Sequence, residues 1–276
     1  MNWIAFVIAN RFGLTLVQAK LLDLRLFAIA AASLAIAAAP SLGQGLDRGD
    51  CLQPKPASQL THCSFEGRVM IGIDLHGADL SNVDLSKAVM KQCDLTGATL
   101  RGTNFKWADL TGCRLHRADM VGVDLFHTRL DFADLEGADL RRAFMFGTDL
   151  NYVKADGVDL RGAHMKDILM EKGRMRRANL SGVYMLRGAI IGSDLRWSNL
   201  AGSEMTGASA EEVNFSGADL TGAKLRGAHL IASSFVGANL RDADLEHATF
   251  ENTDFRGAVN IPEPVLKRLN PRWRAD

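Results

Sequence analysis

The chain has little of what marks a catalyst or a polyanion binder. Its 32 acidic and 32 basic residues cancel, so no net charge draws it to nucleic acid or to an anionic membrane. Its four cysteines include no CxxC pair, and no Cys/His set has metal-ligand spacing. The seven histidines, His62, His76, His116, His127, His164, His229 and His247, are scattered along the chain. No Ser, His and Asp fall together as a nucleophile requires, and no glycine-rich loop is built to cradle a phosphate. These absences argue against an enzyme, and nothing in the chain calls for a cofactor or a metal. Nor is there an apolar run long enough for a membrane span. The longest, Leu26 to Ala39, has fourteen residues.

What the chain has is a period of five. From Phe65 to Phe255 every fifth residue is apolar, thirty-nine positions in one frame. Twenty-one are Leu, nine Met, six Phe and one Ile, and only Ala155 and Ala210 are small. Two residues upstream runs a column from Cys63 to Thr253 that is small everywhere except Arg68, Ile73 and Ile168. Two residues downstream, twenty of the thirty-nine are Gly. Five is neither the helical period nor the strand period. It suits a very short strand, whose first and third residues share a face, followed by a two-residue turn. The small and large residues then point inward and the Asp or Asn between them points outward. Glycine serves the turn because it accepts φ > 0 without steric penalty. A chain turning the same way every five residues winds into a solenoid, and only stacking of its coils supplies a core.

Rare residues suggest the size of each coil. Phe215, Phe235 and Phe255 recur at twenty, as do Phe126 and Phe146, Phe132 and Tyr152, and Cys93 and Cys113. Phe235 and Phe250, fifteen apart, run the other way. The balance favours four units per coil and about ten coils, a rod of roughly 45–50 Å at the usual strand spacing. The unit Ala-Asp-Leu-Xaa-Gly, as at Ala218-Asp219-Leu220-Thr221-Gly222, resembles that of the pentapeptide-repeat family over residues 63–257. The resemblance implies an all-β fold, a right-handed quadrilateral parallel β-helix with the small and large columns inside.

The flanks read differently. Arg11, Lys20 and Arg25 precede the apolar run, Pro40 ends it, and Ser41-Leu42-Gly43 offers small residues for cleavage. Residues 1–43 therefore read as a signal peptide and the protein as exported, to the periplasm; the rival is an uncleaved membrane anchor. Residues 44–62 form a linker and N-terminal cap. Residues 258–276 form a C-terminal cap and basic tail, with a short helix between Ile261 and Leu269. Cys63, Cys93 and Cys113 fall in the small inward column. Cys93 and Cys113 are expected to remain stacked thiols, since parallel side chains are poorly aimed for a disulfide. Cys51 and Cys63 bracket the cap and form the one candidate disulfide, conditional on export.

The outward columns are mostly charged, with Asp79, Asp119, Asp139, Asp159 and Asp219 beside Arg101, Arg141, Arg161 and Arg241, a solvated face. One face departs from this. Phe126, Phe144 and Phe146 fall on adjacent coils, and Tyr184 and Leu186 continue their columns past His164 and Lys166. Such a patch marks a protein-binding or self-association surface. Met165, Met170 and Met175, with oversized Ile168 and compensating Gly173, read as tolerated variation of the core, with a looser coil as the alternative. The reading is a non-catalytic exported rod that binds a protein. The resemblance supplies an alternative, a cytoplasmic DNA mimic that binds gyrase and confers fluoroquinolone resistance. That role needs an acidic surface, which this chain lacks.

Overall fold

The chain divides into two units, Met1–Gly45 and Leu46–Asp276. The computed structural model describes residues 46–269, all within the second unit. The segment read as a targeting signal and the last seven residues of the tail lie outside the described residues.

After a two-residue parallel pair, β1 (Asp47–Arg48) and β2 (Ser58–Gln59), one pattern repeats to Val259. Each unit contributes one parallel bridge from its outward residue, and every bridge joins residues twenty apart, from Gln59 with Asp79 to Asn239 with Val259. Four units therefore make a coil. All thirty-nine large positions are buried. Their stacks include Phe215, Phe235 and Phe255, whose ring centroids are 4.9 and 5.1 Å apart.

The unit closes its own hydrogen-bond account, as residues 139–143 show. Asp139 N–H donates to Ala118 on the coil before. Leu140 and Arg142 N–H donate to Asp159 and Arg161 on the coil after, and Ala143 N–H returns to Leu140 across the turn. The fifth amide, Arg141 N–H, donates to the side chain of Asp139 at 3.2 Å. The outward Asp or Asn is thus a turn fastener and not merely a solubilising group. The same bond recurs at Asp84, Asp94, Asn179, Asp219 and Asp254.

The second turn residue has φ near +60° in every unit from Gly67 to Gly257. Twenty of these are Gly, but nineteen are not, and they include Trp107, His127, Phe132, Tyr152 and Trp197. For a bulky residue this conformation is costly.

Small hydroxyls in the inward column find one recurring acceptor. Thr103, Thr128, Thr148, Ser193, Ser233 and Thr253 each donate to the carbonyl twenty-three residues earlier. Ser198 instead donates to Leu195 O three residues back, and the buried Ser203 hydroxyl has no partner.

The methionine-rich coils are tightly filled, as compensated variation of the core requires and unlike a looser coil. A Cβ on Gly173 would lie 2.6 Å from Met170 Cγ, and one on Gly188 2.8 Å from Met185 Cγ. Glycine makes room there for flexible side chains bent into the space of a missing methyl. At the N-terminal end Arg68 places its guanidinium 5.2 Å from the Phe65 ring and donates to Cys51 O. At the other end α1 (Glu263–Arg268) buries Val265, and Arg268 lies 4.3 Å over the Phe250 ring.

All four cysteines are paired. Cys51 and Cys63 stand with sulfurs 1.99 Å apart. The structure also joins Cys93 to Cys113, which corrects the expectation of two thiols. Coil stacking brings their Cα atoms to 4.6 Å, inside the range a disulfide spans, so parallel aim does not prevent the bond.

Candidate functional site

Outward positions without a fastening Asp or Asn occur on several faces, as at Leu169 and Ala189; on one face three in succession carry rings. There the outward residues are Phe144, His164 and Tyr184, where Asp124 precedes them. Asp124 still accepts from Phe126 N–H at 3.1 Å. The three that follow have no carboxylate or amide oxygen to offer the amides of Phe146, Lys166 and Leu186. The fold loses three local hydrogen bonds and gains exposed rings, Phe144 being 52% and Tyr184 39% exposed.

Phe126 and Phe146 stack with centroids 5.4 Å apart and are half-buried, not fully exposed as a surface patch alone would suggest. Phe144 does not stack on them; its ring lies 5.4 Å from His164, which leads on to Tyr184 at 6.2 Å. The two short stacks run side by side. Between them is a shallow cleft of about 210 Å³ lined by Lys106, Asp124, Phe126, Phe144, Phe146 and His164. Leu186 is half-buried at the far end.

Two contributors were not visible in the columns. Trp107 and His127 occupy the positive-φ turn position, their rings 4.4 Å apart and nearly parallel. Trp107 also meets Phe126 edge-on at 5.5 Å. His127 lies flat across the next coil, where a Cβ on Gly147 would meet it at 2.5 Å. His127 and Trp197 are each followed by glycine one coil on, Trp107 and Phe132 by another ring, and Tyr152 by Lys172, whose ammonium lies 6.0 Å from its ring. Phe132 and Tyr152 form a separate stack at the following corner, at 5.1 Å.

The opposite pole of surface chemistry is a network of forked ion pairs. Arg174 contacts Glu136 and Asp156, while Arg176 and Arg196 both reach Asp194 at 2.7 Å. Burial pushes the Asp194 carboxyl up, but hydrogen bonds from Arg196 and Arg176 outweigh it and hold the pKa at about 2. Asp149, on another face, goes the other way, because burial and nearby Asp131 raise it. Beside the arginines Trp197, packed against Arg177 and Arg196, forms part of a second cleft of about 350 Å³.

Among the described residues two groups have metal-like spacing. Cys51, His62 and Cys63 lie within 4.8 Å of one another, but both sulfurs are committed to the disulfide. His116, Asp134 and Glu136 are equally close, with Glu136 already held by Arg174. They come from neighbouring coils, so spacing along the chain hides them. Among the described residues no helix is long and apolar enough to cross a membrane.

The family model for pentapeptide repeats matches in eight copies, over residues 58–97, 88–125, 128–167, 190–227 and 223–259. The chain belongs to the pentapeptide-repeat family. Its fold is similar to that of HetL, a pentapeptide-repeat protein involved in heterocyst differentiation regulation in the cyanobacterium Nostoc sp. strain PCC 7120. The two share 28% identity at a TM-score of 0.55, over 71% of this chain and 90% of HetL. Full-length QnrB1, a plasmid-mediated fluoroquinolone resistance protein, matches at 18% identity and a TM-score of 0.36, over 68% of this chain and 94% of that one. That match carries no argument beyond the repeat itself. No curated protein matches.

Proposed function

We propose that this pentapeptide-repeat protein is a non-catalytic, exported binding rod, acting in the periplasm through its aromatic face. One observation carries the reading. Phe144, His164 and Tyr184 hold consecutive positions where Asp or Asn would fasten the turn, and they use them to expose rings. Stacking of Phe144 on His164 returns part of the stability so lost but leaves Phe144 52% exposed, and a contact surface accounts for the exposure. Export is supported by the charged and apolar N-terminal sequence and by the close approach of Cys51 to Cys63, since disulfides persist mainly in oxidising compartments.

The gyrase-binding alternative finds no support in the surface. Arginines sit among the aspartates on the charged faces, so no face offers the continuous negative potential of a DNA mimic. Cell fractionation with alkylation before reduction tests the whole reading. The expected result is a shortened form outside the cytoplasm, with Cys51 and Cys63 unlabelled. A full-length cytoplasmic protein with both thiols labelled would overturn export.

A further inference from the structure

The aromatic face is self-complementary, and we infer that its occupant is a second copy of this chain, packed antiparallel. The inference rests on that face being a binding surface. Coils recur every twenty residues, so each column samples the face at regular steps. A two-fold axis lying across the rod at the Phe144–Phe146 coil brings each column onto itself in reverse order. Phe144 and Phe146 then meet their own copies at the axis. One coil out, Asp124 faces His164 of the second copy, Phe126 faces Lys166 and His127 faces Asp167. Two coils out, Trp107 faces Arg187, Asn104 faces Tyr184 and Lys106 faces Leu186.

Unlike meets unlike at nearly every step. An acid meets an imidazole twice, and a cation meets an aromatic ring twice, for each protomer. Trp107, Phe126 and His127 lie on the N-terminal side of the axis, and His164 and Tyr184 on the C-terminal side. Two cations, Lys166 and Arg187, lie C-terminal to the axis and one, Lys106, lies N-terminal to it, beside Asp124 at 3.0 Å. Within one chain Lys166 already lies 5.6 Å from the Phe146 ring, so this surface accepts a cation over a phenyl face. Gly147 holds the centre of the corner column, where a side chain would keep two backbones apart.

Other arrangements fail on charge. A parallel pair, related by an axis along the rods, reverses the face from side to side, so His164 meets Lys166, Asp124 meets Phe126, and the acid–imidazole pairs are lost. Slipping the antiparallel register by one coil pairs Lys106 with Lys166 in one direction and His127 with Arg187 in the other. The match also has an end, because three coils out Asp84 would face Glu204. The interface therefore spans five coils, a patch at the small end of specific interfaces, below ~1,200 Å² in total, and its affinity is modest.

Sedimentation velocity of the purified protein over a range of concentrations, with single and paired substitutions, tests this. The wild type is expected to show a monomer–dimer equilibrium. Asp124→Lys sets a lysine against His164 and should weaken the dimer about tenfold or more. Adding His164→Asp to that variant should restore most of the loss, which no change in folding alone would do. A cysteine placed by Phe144→Cys should cross-link to its own copy, whereas Phe126→Cys should cross-link only when mixed with Lys166→Cys. A wild type that stays monomeric at the highest concentrations overturns the dimer. If Phe144→Ser then leaves the melting temperature unchanged, the face survives as a surface for a foreign protein; if the melting temperature falls sharply, the binding reading falls too. Failure of His164→Asp to rescue Asp124→Lys, or self-linking by Phe126→Cys, overturns the antiparallel register.

Discussion

The face of Asp139 and Asp159 and the face of Phe144, His164 and Tyr184 share one backbone and one register, yet they spend the outward position differently. On the first, each aspartate fastens its own turn and grips an arginine, Arg141 and Arg161 forking onto Asp139 and Asp159 at 2.6–3.0 Å. On the second, the fastener is gone and a ring stands in its place. The inward columns are the same behind both, with Leu140, Met145 and Leu160 all buried. Fold information thus lies in two positions of five. The third strand-turn position, outward, is divided between stability and recognition.

The largest expected effect ignores the faces. Leu140→Asp buries an unpaired carboxylate in a narrow core and should cost about 5 kcal/mol or more, enough to melt several coils. Its neighbour Arg141→Asp removes an ion pair at the solvent-exposed surface and should be nearly silent. Equal losses in urea titrations of the two variants would break the inside–outside division itself.

Next come the turns. Gly147→Ala must bend at φ +61° and also drive a methyl into His127, so about 2–3 kcal/mol should be lost. Gly162→Ala has φ +65° with nothing within 4 Å, leaving the conformational term of about 1 kcal/mol. A thermal melt that ranks them the other way would mean that the His127 stack does not depend on glycine.

Smaller still, and of opposite sign, is Phe144→Asp. It restores the oxygen that Phe146 N–H lacks and should raise stability by about 0.5–1 kcal/mol while it weakens association. A variant both less stable and less associated would make the ring structural, and the contrast between the faces would dissolve.

The smallest effects come from pH. Asp194 has a folded pKa below its unfolded value, so its contribution is full above the unfolded range, near pH ~4. That contribution is lost as pH falls toward about 2. Asp149 has a raised folded pKa, so its ionisation opposes folding and Asp149→Asn should be slightly stabilising at pH 7. Carboxyl chemical shifts followed by NMR should show Asp149 titrating first as acid is added, and Asp194 after it.

Most of the core was legible because it is written in two columns that every unit must obey. The four-unit coil was legible because rare large residues stack on their own kind. Less of the surface could be read. Phe126, Phe144 and Phe146 could be placed on one face, but not divided between two stacks, because ring orientation depends on rotamers that spacing does not encode. Trp107 and His127 escaped because their turn position reads as a glycine site; the signal was the presence of a ring where glycine is easiest. Pairing of Cys93 with Cys113 escaped because stacking was judged by direction and not by the short distance between coils. The role of outward Asp was hidden as well, since its partner is a backbone amide two residues on, which no side-chain pattern reveals.

Four units to a coil make the length of this protein a discrete quantity for evolution. Duplicating or deleting twenty residues lengthens or shortens the rod and leaves every face aligned above and below the change. Inserting five residues also preserves the core, because the small and large columns continue in phase. It rotates everything downstream by a quarter turn. Five residues added after Gly157 would leave Phe126, Phe144 and Phe146 on one side and carry His164 and Tyr184 around the corner. Lineages could therefore dissolve or rebuild a recognition surface by slippage of one repeat, with no substitution and no loss of fold.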